Sequence, residues 1–60
     1  MARYYQMFKT QEERKGWETQ KKEEDKNFRV CFRCTAKQLK KDLPFVNIDG
    51  FKYATIWTNE

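Results

Sequence analysis

Apolar positions are unevenly spread along this chain, and their spacing changes from segment to segment. Arg3 to Lys9, RYYQMFK, holds two Tyr, a Met and a Phe without Gly or Pro, and predicts a first strand. From Lys9 to Asn27, Trp17 is the only hydrophobic side chain, so a helix there has almost no apolar stripe. Yet TQEE, Thr10 to Glu13, has the form of a capping box, in which the Thr10 hydroxyl caps and Glu13 reaches back to the Thr10 amide. The segment predicts a helix from Gln11 to about Asp25, supported by an i,i+4 pair of Glu18 with Lys22. Gly16 in its middle costs about 1 kcal/mol against Ala. An extended arm or loop is the competing expectation.

FRVCFRC, Phe28 to Cys34, alternates strictly. Phe28, Val30, Phe32 and Cys34 fall on one face and Arg29, Cys31 and Arg33 on the other. This predicts a central strand whose core face holds Phe28, Val30 and Phe32 and whose outer face is basic. Thr35 then caps a short helix, AKQLKKDL, with Ala36, Leu39 and Leu43 along one side and Lys37, Lys40 and Lys41 in solvent. Pro44 stops it. In FVNIDGFKYATIWT, Asp49-Gly50 is a two-residue hairpin signal between apolar arms. Phe51, Tyr53, Thr55 and Trp57 share one face of the longer arm; Lys52, Ala54, Ile56 and Thr58 share the other.

The expected class is α+β, a small three- to four-stranded sheet with one long and one short helix in β-α-β-α-β-hairpin order, helices covering one face. Residues 1–60 are expected to form a single mini-domain. Sixty residues bury only roughly 60% of the unfolded surface, so large rings must carry the core. Aromatics make up 17% of the chain, which meets that need, and dimerisation would add to it. No apolar run approaches the ~20 residues of a membrane span, and MARYYQMFKT is too polar for a signal peptide. A cytoplasmic protein with reduced cysteines and no membrane partner is expected.

Charge sharpens the picture. The net charge is +4, while Lys9 to Asn27 is neutral, six basic residues against six acidic. The excess therefore sits in the rest, on Arg3, Arg29, Arg33, Lys37, Lys40, Lys41 and Lys52 against Asp42, Asp49 and Glu60.

Candidate chemistry is sparse. With no His, no histidine-based triad or shuttle exists, and two glycines make no phosphate loop. Cys31 and Cys34 have C-x-x-C spacing, and a helix beginning just after Cys34 would lower its thiol pKa. Alternation nevertheless puts the two on opposite faces, and two thiolates supply half a zinc site unless a dimer pools them. They read as small hydrophobes, with a thiol or shared-zinc role as the minor alternative. No catalytic residue, metal site or cofactor is expected.

Binding remains. An open sheet face combining Arg29 and Arg33 with Tyr5, Tyr53 and Trp57, flanked by Lys37, Lys40, Lys41 and Lys52, would attract phosphates and stack bases. A non-catalytic nucleic-acid-binding regulator is the leading expectation. The alternative is a protein-interaction module, an inhibitor or regulator of the size made by phages and mobile elements. It would act through an edge strand, most simply the short aromatic first one, which invites pairing with a larger protein or with a second copy as a homodimer.

Overall fold

The computed structural model describes residues 2–59, leaving Met1 and Glu60 outside it. Five elements follow in order: β1 (Tyr4–Phe8), α1 (Gln11–Glu24), β2 (Arg29–Thr35), α2 (Ala36–Asp42) and β3 (Tyr53–Thr58). The α+β class holds, with the sheet at its three-stranded size. The strand order is β1-β3-β2, and both neighbours are antiparallel to β3. β1 and β2 thus run parallel on either side of β3, joined by α1 in a split β-α-β unit.

The expectation that FRVCFRC is central is therefore corrected: β3 is the central strand and β2 an edge. Composition accounts for the placement. YATIWT carries no charge and is buried at four of six positions. β2 keeps Arg29 and Arg33 exposed, as edge strands commonly do.

β2 departs from alternation as well. Val30 pairs with Trp57 and Phe32 with Ile56, so Cys31 is an extra residue, a bulge between them. A one-residue slip exchanges faces for everything beyond it. Phe28 stays with Trp57, whereas Phe32 and Cys34 turn to the face of Ile56 and Ala54, and Arg33 joins Thr55. Phe28, Val30 and Phe32 therefore do not share one core face. Phe28 is buried, but Phe32 is 45% exposed.

Helices cover both faces of the sheet, not one. On the first, Trp17 of α1 meets Phe8, Phe28 and Trp57 at ring-centroid distances of 5.3, 5.6 and 5.6 Å. Its lone apolar side chain suffices because the sheet supplies the other rings. On the second face, Leu39 of α2 packs with Val46, Ala54 and Ile56, edged by Met7, Cys34, Leu43 and Ile48.

Both helix starts follow the capping chemistry. The Thr10 hydroxyl accepts from the Glu13 amide at 3.2 Å, but the Glu13 carboxylate takes the amide of Lys9, at 3.1 Å, instead of that of Thr10. At α2 the box is complete, Thr35 with Gln38. Asp49-Gly50 forms the expected turn, closed by the Phe51 amide on the Ile48 carbonyl at 2.9 Å with Gly50 at φ 84°. No fourth strand leads into it. Both sides of β3 are already paired, so residues 45–48 cannot pair with it as a hairpin arm, and Val46 is buried against α2 instead.

Candidate functional site

The most consequential polar constellation lies beneath α1. Arg33 and Thr55 are cross-strand partners, and Glu18 descends onto both. The Arg33 guanidinium donates through Nε to both Glu18 oxygens, at 3.2 and 3.0 Å, and through Nη2 to Oε1 at 2.5 Å. The Thr55 hydroxyl donates to Oε2 at 3.1 Å. Glu18 is buried and Thr55 fully so, while the Arg33 side chain is 47% exposed. Hydrogen bonds from Arg33 hold the Glu18 carboxyl below its ordinary range, helped by Thr55, although burial opposes them. Among the described residues this is the only ion pair. Glu18 does not serve as the surface partner of Lys22. Its only sequence signal was adjacency to Trp17, which turns that side of α1 toward the sheet.

The basic and aromatic residues expected to share a face are dispersed. Arg33 lies under α1 with one side of its guanidinium fork, Nε and Nη2, bonded to Glu18. The Arg29 guanidinium donates to the carbonyls of Lys26 and Phe28, at 3.2 and 2.9 Å. Tyr53 and Trp57 are on the α1 face, already capped by cations: Arg14 at 5.6 Å from the Tyr53 centroid and Lys21 at 4.7 Å from that of Trp57. Tyr5 is on the opposite face, across from Ile56. Lys37, Lys40 and Lys41 are exposed along α2. Lys52 meets Tyr53 in a shallow cleft with Lys9 and Glu12. Lys41 and Arg33 line another groove with Phe32 and Gln38.

What the fold does assemble is an apolar groove beside α2. Tyr5, Ile56 and Phe32 are register partners across the three strands, forming one row over the sheet. Leu39 of α2 and Leu43 at its C-cap wall it, with Arg3 and Asp42 as charged margins, around about 250 Å³. α2 is only seven residues long and leaves the ends of this row open: Tyr5 is 39% and Phe32 45% exposed. Phe45, just past Pro44, is 80% exposed. The sequence hid this groove because strict alternation placed Phe32 in the core, and a bulge leaves no mark in composition.

The cysteines are free; Cys31 is exposed at the bulge and Cys34 half-buried against α2. Burial, aided by the charge of Asp42, raises the Cys34 thiol pKa, against the lowering expected from a helix start. No helix among the described residues is long and apolar enough to cross a membrane. No family model, curated protein or solved structure matches the chain.

Proposed function

We propose that the chain is a non-catalytic protein-interaction module whose contact surface is the groove beside α2. The observation that carries this reading is the open row Tyr5–Ile56–Phe32, where two rings of an aromatic-dependent core are left in solvent. Exposed rings beside a groove are what a partner's apolar anchors bury, and a folded mini-domain leaves few such rings without use. The exposed lysines of α2 and the net charge of +4 favour a partner of acidic character. The test is capture from cells that carry the gene, on the immobilised chain, with Phe32→Glu as matched control. The expected result is a protein retained by the wild type, retained more weakly by Lys37→Ala/Lys40→Ala/Lys41→Ala, and lost with Phe32→Glu. Retention by Phe32→Glu and loss with the lysine variant would overturn the reading.

One observation favours nucleic acid as a second reading: the ring of Phe32 shares a groove with Lys41 and Gln38, a stacking surface beside one cation not engaged by Glu18, with Asp42 at its margin. A labelled oligonucleotide titrated at low and high salt tests it. Binding that weakens steeply with salt and fails with Lys41→Ala would support it.

A further inference from the structure

We infer that two copies of this chain join through their β1 strands in a two-fold pair with Tyr5 at the axis. The inference concerns the open edge of the sheet, which meets the groove at Tyr5. The two edges differ. β2 is blunted by the Cys31 bulge and by exposed Arg29 and Arg33. β1, YYQMF, pairs with β3 in unbroken register and has no charge, bulge or proline along it. Of the devices that protect sheet edges, β1 has none.

Backbone direction selects the register. The Phe8 carbonyl accepts from the amide of Lys52, the residue before β3, at 3.0 Å, so this carbonyl points to the β3 side and not to the open edge. Alternation gives Gln6 and Tyr4 the same direction and leaves the amides and carbonyls of Arg3, Tyr5 and Met7 on the open side. An antiparallel copy centred on Tyr5 uses all of them: Arg3 pairs with Met7, Tyr5 with Tyr5, and Met7 with Arg3. Centring on Gln6 instead would set Arg3 against Lys9, like charge to like charge, and would call on a Lys9 amide already given to Glu13. The Tyr5 register avoids both penalties. It also extends the apolar row Phe32–Ile56–Tyr5 without a break through Tyr5, Ile56 and Phe32 of the second copy, and leaves each groove's α2 wall uncovered. The seam is short, near or below the ~1,200 Å² at which stable interfaces begin, so the pair dissociates on dilution.

Sedimentation across a dilution series tests this. We expect a mass approaching twice the 7.4 kDa of one chain at about 100 μM and falling to one chain at about 1 μM. Tyr5→Pro removes an outward amide and a half-exposed ring but no bond to β3, so the fold survives while the pair is lost. Tyr5→Lys is the second variant, placing like charges at the axis. In hydrogen exchange, the Tyr5 and Met7 amides should become protected with concentration while Gln6 stays unchanged. A single-chain mass at every concentration, or a pair that persists in Tyr5→Lys, would overturn the inference. The partner reading is tested separately by Phe32→Glu, which leaves Tyr5 and the β1 edge in place.

Discussion

Glu18 is the residue on which the α1 face turns. Its carboxylate satisfies the buried Thr55 hydroxyl and half the Arg33 fork, so Glu18→Ala strands both. A fully buried pair broken this way costs about 3–5 kcal/mol; with the guanidinium half in water we expect about 2 kcal/mol, measured by denaturant unfolding. The pH dependence has a definite sign. Because the folded-state pKa lies below the unfolded one, the stabilisation is complete above the ordinary glutamate value of 4.5 and is lost as pH falls through the folded value. Glu18→Gln should therefore flatten the acid limb of stability against pH; an unchanged limb would show that the pair contributes nothing. The two glycines should respond oppositely. A Cβ at Gly16 meets nothing within 4 Å, so Gly16→Ala should stabilise by about 0.5–1 kcal/mol. Gly50 has φ +84°, so Gly50→Ala should destabilise by about 1–2 kcal/mol. Melting temperatures of the two variants check both.

At the scale of elements, legibility followed local chemistry. α1 and α2 were readable from Thr10 and Thr35, because capping needs only residues three apart, and Pro44 marked the end of α2. β1 and β3 were readable from their apolar content. Which strand lies in the centre was not, because it depends on where the chain returns; only the charges of Arg29 and Arg33 hinted that β2 is an edge. The same holds for the site. Tyr5 was picked out for a basic and aromatic sheet face; it is exposed, but on the face opposite Tyr53 and Trp57. Phe32 was assigned to the core because one inserted residue, Cys31, reverses the face of everything after it. α1 presents the sharpest element-scale prediction. Trp17 is its sole hydrophobic anchor, so Trp17→Ala should cost about 3–5 kcal/mol and unfold the helix with the sheet. Far-ultraviolet circular dichroism that kept its helical signal would contradict that.

For the molecule as a whole, covering both sheet faces with one long and one short helix leaves an unequal surface. α1 closes its face with rings and cations, Arg14 over Tyr53 and Lys21 over Trp57. α2 is too short to do the same: Tyr5 and Phe32 stay exposed beside it, where the α1 face leaves only Tyr4 comparably open. That asymmetry underlies the proposal of a protein contact on the α2 side. The most direct measurement is photo-crosslinking in cells carrying the gene, with a benzophenone side chain replacing Phe32 and, as control, Gln20 on the exposed side of α1. Each adduct is then divided between nuclease and protease. The account predicts a discrete adduct at Phe32, absent at Gln20, that nuclease leaves intact and protease destroys. An adduct that nuclease destroys, or identical products at both positions, would contradict it.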